Sequence, residues 1–168
     1  MDVRKRRADI DSASDRGGFL SGTYTVAFSA RIPAPAARVY SILADYRSGH
    51  PRILPRQFQN FVVEEGGQGA GTRTRFDMKA FGATRSFRHE VAEPEPGRVL
   101  VEFDRDIDAQ TMFTVEPDGA SACNVTIATS LPSRGGLFGA MERFMSRRYL
   151  LGVYKEELEK LEAVALDA

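Results

Sequence analysis

Cysteine occurs once, tryptophan not at all and histidine only twice, and each shortage removes a class of function. With Cys123 alone, no intramolecular disulfide can form and a thiolate zinc site has no ligand set. Such usage suits a reducing compartment, so a cytoplasmic location is expected. His50 and His89 lie far apart in the chain with no Asp or Glu at ligand spacing around them, so neither a metal nor another cofactor is expected. An excess of one charge is missing too: 23 Lys and Arg balance 23 Asp and Glu. No overall field exists to gather a polyanion, and no nucleic-acid partner is expected. Apolar runs are short. Nothing approaches the roughly 18 residues of a membrane span or the core of a signal peptide, so no integral membrane segment is expected.

What is present is an ordinary globular mixture, 42% hydrophobic and 27% charged over 168 residues, enough for one buried core. The first 22 residues are polar, rich in Gly, Ser and Asp, and without periodicity. They are expected to form a flexible N-terminal extension, leaving a single domain over residues 23–168. Within the extension, Arg4, Lys5, Arg6 and Arg7 form a basic run, but Asp2, Asp9, Asp11 and Asp15 break up its field. A solvated tail explains it without a phosphate-binding role.

From Tyr24 to Ile32 apolar and polar residues alternate, the period of a half-buried strand. Pro33 and Pro35 end it, and Ala36, Val39, Tyr40 and Leu43 follow at helical spacing. A second, kinked helical segment is expected around His50–Leu54, bounded by Pro51 and Pro55. Between Gln57 and Ser130 the period returns to two, and turn residues divide the stretch into six strands. Short connections demand antiparallel neighbours. The inward faces are expected to carry Phe76, Phe87, His89, Val101 and Phe103. From Leu137 to about Val164 helical spacing resumes, with an inward stripe of Leu137, Met141, Phe144, Met145, Leu151, Tyr154, Leu158 and Leu161. The fold class is α+β, a seven-stranded antiparallel sheet against a long C-terminal helix.

The order of these elements resembles the START and birch-pollen-allergen-like superfamily (SRPBCC), whose fold is the helix grip. The residues Ile32-Pro33-Ala34-Pro35-Ala36-Ala37-Arg38-Val39-Tyr40 are similar to its opening strand and helix, Pro51 and Leu54 to the elbow that follows, and Gly69-Ala70-Gly71-Thr72-Arg73 with Phe76 to its second hairpin. Within it, the chain most resembles the polyketide cyclase/dehydrase and lipid-transport family. One departure is His50, where many relatives carry an aromatic residue before the elbow proline. The resemblance implies a curved sheet wrapped around the last helix, with two short helices after the first strand and a cavity between sheet and helix. It does not select a reaction, since this superfold hosts carriers, receptors and enzymes.

Arg148 falls inside the expected apolar stripe of the last helix. One reading has it bind a carboxylate or enolate oxygen of a ligand; the ordinary reading has it snorkel to solvent or form an ion pair. His89 shares strand parity with Phe87 and Val91, so it points inward, either as an acid or base or as a hydrogen-bonded core residue. Arg85 has the same parity and either enters the cavity as a second anion-binding group or reaches solvent. No Gly-x-Ser-x-Gly elbow or other nucleophile motif is present. The leading expectation is noncovalent binding or transport of a small hydrophobic molecule, a lipid, isoprenoid quinone or polyketide-like aromatic. Phe76, Phe87, Phe103, Met141 and Met145 are expected as walls, and Arg148, His89 and Arg85 as the polar end. The alternative is a cofactor-independent polyketide cyclase/dehydratase with His89 and Arg148 as candidate catalytic groups. Leu137 and Phe138 at the helix start leave transient membrane contact open.

Overall fold

The computed structural model describes residues 20–80 and 82–167. Strand β1 (Leu20–Ile32) is followed by helix α1 (Ala36–Ala44) and a single 3-10 turn (His50–Arg52). Six strands come next: β2 (Phe58–Glu65), β3 (Arg73–Ala80), β4 (Ala83–Glu95), β5 (Val99–Asp104), β6 (Ala109–Pro117) and β7 (Cys123–Arg134). Helix α2 (Gly136–Leu166) closes the described chain. The loops between β2 and β7 are too short for crossovers, so these strands meander, and β1 returns to pair with β7. The resulting seven-stranded antiparallel sheet has the order β1-β7-β6-β5-β4-β3-β2.

The alternation in β1 does what its period dictates. Val26 and Ile32 are fully buried, and their register partners Thr129 and Cys123 on β7 share the same inner face. The back half of α2 seats Val153, Tyr154, Leu158 and Leu161 against β1, β7 and α1. Each such side chain contributes roughly 1.5–3 kcal/mol through burial. Cys123 is buried with its thiol pushed up by burial alone, a packing residue rather than a nucleophile.

Three expectations are corrected. The extension expected over residues 1–22 lies outside the described residues up to residue 19, as does the basic run, but Leu20–Gly22 belong to β1, where Leu20 pairs with Arg134. That pairing also carries β7 on through Arg134, beyond the Ser130 at which the two-residue period was expected to end.

The second correction concerns β5. Val99, Leu100 and Val101 are all buried, so the strand is apolar on both faces and its alternation cannot say which face is inner. Register decides: His89 lies opposite Asp104 and Val91 opposite Glu102, which turns Leu100, Glu102 and Asp104 inward and Phe103 outward.

The third is the phase of α2. The expected stripe holds in the back half, where Tyr154, Leu158 and Leu161 are buried with Val153 and Glu157, but in the front half Ser146, Tyr149 and Leu150 line the interior while Leu137, Met141 and Phe144 are exposed. Arg148 precedes Glu157 by nine residues, which at 3.6 residues per turn places it on the opposite side of the helix. Tyr149 Oη donates to the Lys79 carbonyl at 2.9 Å, tying α2 across to β3.

Candidate ligand cavity

Between the concave sheet and α2 lies a cavity of about 690 Å³, within the usual range for sites that hold small molecules. Its walls differ in character. One is aromatic: Phe76 is the hub, with ring centroids 5.0 Å from Phe58, 5.6 Å from Phe87 and 6.5 Å from Phe61. Met78, Met145 and Leu150 continue it. The other wall carries Glu102, Asp104, Thr111, Thr129 and Glu157.

The polar wall is organised around Glu102, which is buried on β5 and would be costly there without partners. Tyr46 Oη donates to its Oε1 at 2.7 Å, His89 Nδ1 lies 3.1 Å from Oε2, and His50 Nε2 stands 3.7 Å from Oε1. Burial raises the Glu102 pKa, but the His89 hydrogen bond, the charges of His89 and His50 and the Tyr46 hydroxyl outweigh it and bring the group to about 2. A carboxylate only accepts, so His89 donates through Nδ1 and its Nε2 is left as the other polar edge of the ring. Phe76 meets that imidazole edge to face at 4.8 Å, fixing the ring plane.

Tyr46 and His50 reach this carboxylate because of the elbow after α1. Asp45 Oδ1 accepts the backbone N–H groups of Arg47 and Ser48, each at 3.0 Å, and the Asp45 carbonyl accepts those of Gly49 and His50. The chain folds back, and His50 stacks on Tyr46 at 4.6 Å while hydrogen-bonding the Leu43 carbonyl through Nδ1 at 2.9 Å. Gly49 permits the fold: a Cβ there would stand 2.6 Å from the Ile42 carbonyl oxygen. Gly49→Ala is expected to destabilise the protein by about 1–3 kcal/mol, the range of an overpacked core, in urea unfolding. An unchanged midpoint would mean that the elbow yields freely.

Two further carboxyl groups face the cavity. Asp104 Oδ1 caps the β5–β6 turn, accepting the Asp106 and Ile107 N–H groups at 2.8 and 3.2 Å, while Oδ2 is buried without a hydrogen-bond partner. Glu157, on α2, is 4% exposed and has no hydrogen bond or ion pair among the described residues. Burial, reinforced by the charge of Glu102 and opposed by Lys160, pushes its pKa up to about 8. At neutral pH it is mostly a neutral acid inside the cavity. Behind it, Tyr154 Oη donates to Thr129, whose hydroxyl lies 2.8 Å from that of Thr111.

Of the residues singled out from sequence, Phe76, Arg85, Phe87, His89 and Met145 line the cavity. Arg85 is exposed, at the edge of the wall. Phe103, Met141 and Arg148 do not line it, for the reasons of strand and helix phase given above. Tyr46, Glu102, Asp104 and Glu157 were missed. A signal existed for two of them: Glu102 interrupts the apolar run Val99-Leu100-Val101, and Glu157 stands three residues after Tyr154 and four before Leu161, inside the stripe. No cluster of three or more metal-ligating side chains occurs among the described residues, and none of their helices is long and apolar enough to cross a membrane.

The model of the polyketide cyclase/dehydrase and lipid transport family matches residues 23–166. The chain belongs to this family. No curated protein matches the sequence. Among solved structures, the KanY protein is 26% identical, with a TM-score of 0.75 over 86% of this chain and 98% of that one. An aromatase/cyclase from Streptomyces sp. R1128 is 18% identical, with a TM-score of 0.68 over 85% and 93%. A START superfamily protein from Mycobacterium smegmatis is 16% identical, with a TM-score of 0.65 over 83% and 94%. These last two likenesses establish the shared helix-grip fold.

Proposed function

We propose that this family member binds a small, largely apolar molecule between the sheet and α2, with the ring system against Phe76 and Phe87 and a polar group against the Glu102–Glu157 wall. The observation that carries this reading is the two-sided cavity itself: aromatic surface supplies affinity by burial, and a few fixed polar groups supply orientation. The family's association with lipid transport fits a carrier of a lipid, quinone or polyketide-like aromatic, active as a soluble cytoplasmic protein. The site residues proposed are Phe76, Phe87, His89, Met145 and Glu157, with Arg85 at the edge. Native mass spectrometry of protein taken from its own host, followed by extraction, is expected to return a stoichiometric small molecule. Leu150→Trp, which fills the cavity from α2, is expected to weaken binding of an apolar fluorescent probe at least about tenfold, a loss near 1.4 kcal/mol. Undiminished probe binding by that variant would place the ligand elsewhere.

A second reading, a cofactor-independent polyketide cyclase/dehydratase, is favoured by one feature: Glu102 holds His89 through Nδ1 and so orients Nε2 as a base. His89 would take a proton from the carbon next to a carbonyl, and the neutral Glu157 would protonate the departing hydroxyl, which leaves as water. The proton on His89 then returns to Glu157 through solvent. The Streptomyces protein, on the same fold, is described as an aromatase/cyclase. Incubation with a poly-β-ketone thioester separates the readings. Cyclised product formed with loss of water by the native protein, and lost in His89→Gln with binding retained, supports the enzyme; binding without product by both supports the carrier.

A further inference from the structure

The charged groups of the cavity are unequally supplied. The buried carboxyl groups of Glu102, Asp104 and Glu157 line it, and at its exposed edge Glu142 is matched by a single guanidinium, Arg85. Arg148, the one cation expected inside, is on the far side of α2. The buried groups left without protein partners are also acceptors: Asp104 Oδ2, and the Glu157 carboxyl once ionised. A ligand carboxylate placed here meets like charge and no buried cation other than what His50 and His89 provide, and both already face Glu102.

From this inventory we infer that the cavity takes an apolar ring system bearing a protonated amine, with its ammonium seated at Glu157 beside the Glu102 carboxylate. The inference rests on the binding reading above and names the chemistry of the ligand. An ammonium brings several donors and a positive charge to a buried place where a second carboxylate beside Glu102 would otherwise be repelled. It thereby replaces the proton that Glu157 otherwise keeps. The groups facing Glu157 are Glu102 on β5, Tyr46 from the elbow, and Tyr154 and Lys160 on α2, while His50 and His89 are set against Glu102. Glu157, buried, facing the cavity and without a hydrogen-bond partner among the described residues, is placed to exchange its proton for a ligand cation.

The test uses three matched probes, 1-naphthylmethylamine, 1-naphthylmethanol and 1-naphthoate, titrated calorimetrically at pH 7 in two buffers of different ionisation enthalpy. The amine is expected to bind at least about tenfold more tightly than the alcohol, and the carboxylate most weakly. Amine binding is expected to release a proton, seen as a buffer-dependent heat. Glu157→Gln keeps shape and hydrogen bonding without the charge, and is expected to abolish both the preference and the proton release. Equal or tighter binding of the carboxylate, or amine binding with no proton released, overturns the inference while leaving the cavity reading standing. Failure of all three probes to bind overturns both.

Discussion

Glu102→Ala is expected to lower stability by roughly 3–5 kcal/mol, the usual effect of removing one member of a buried charged network. For a chain of this size that corresponds to a fall in Tm of about 10–15 °C. The reason is the set of groups left behind. Tyr46 Oη, His89 Nδ1 and His50 Nε2 all converge on this one carboxylate from α1's elbow and from β4. Tyr46 Oη would remain buried without its acceptor and both imidazoles would lose their counter-charge, which is costlier than the net value of any one hydrogen bond. Glu102→Gln, which keeps an acceptor oxygen for Tyr46, is expected to lose less. Thermal unfolding at pH 7 checks the pair; a loss under about 1 kcal/mol in the Ala variant would show that the elbow is held by packing alone.

Glu157→Gln is expected to change the pH dependence of stability. The Glu157 pKa rises from an ordinary 4.5 to about 8 on folding, so the folded state holds its proton more tightly than the unfolded chain does. The native protein therefore feels no penalty from this group below pH 4.5 and loses stability steadily as pH rises to about 8, at up to about 1.4 kcal/mol per unit. A glutamine has no such proton to lose. The variant is expected to be more stable than the native protein by roughly 4–5 kcal/mol at pH 8.5 and to differ little at pH 4.5. Glu102 acts in the opposite sense: held at about 2, it contributes stability above its ordinary 4.5 that disappears as pH falls towards 2. Parallel unfolding curves across pH for native protein and variant would mean that Glu157 reaches solvent.

The same feature that destabilises an empty cavity at alkaline pH prepares it for a ligand. Two carboxyl groups share a buried wall, one ionised and well supplied with partners, the other protonated and unpaired. Stability and ligand chemistry are thus coupled through one proton, and a bound cation would relieve the repulsion.

How much of this was legible beforehand follows from which interactions are local. Strand period, prolines and turn residues are properties of neighbouring positions, and they suffice for the antiparallel meander, the first helix and the long last helix. His89 was placed inward because its strand has one apolar side over Phe87, His89 and Val91. Phe103 was misplaced because β5 is buried on both faces; only its register with β4, through His89 and Asp104, turned Glu102 inward. Met141 and Arg148 were misplaced because apolar residues occur on more than one side of α2's first half, and packing of the back half against β1 and β7 set the phase. The elbow residues Tyr46 and His50 carried no periodic signal, since Asp45 and the Gly49 contact direct them.

By itself, the sequence determined the fold class and the existence of a sheet-helix interior, because both are written in short-range periodicity. Only tertiary structure decided the character of that interior. Whether a carboxylate points in or out depends on partners many residues away, and here those partners replaced an expected arginine with three glutamate and aspartate carboxyls, Glu102, Asp104 and Glu157.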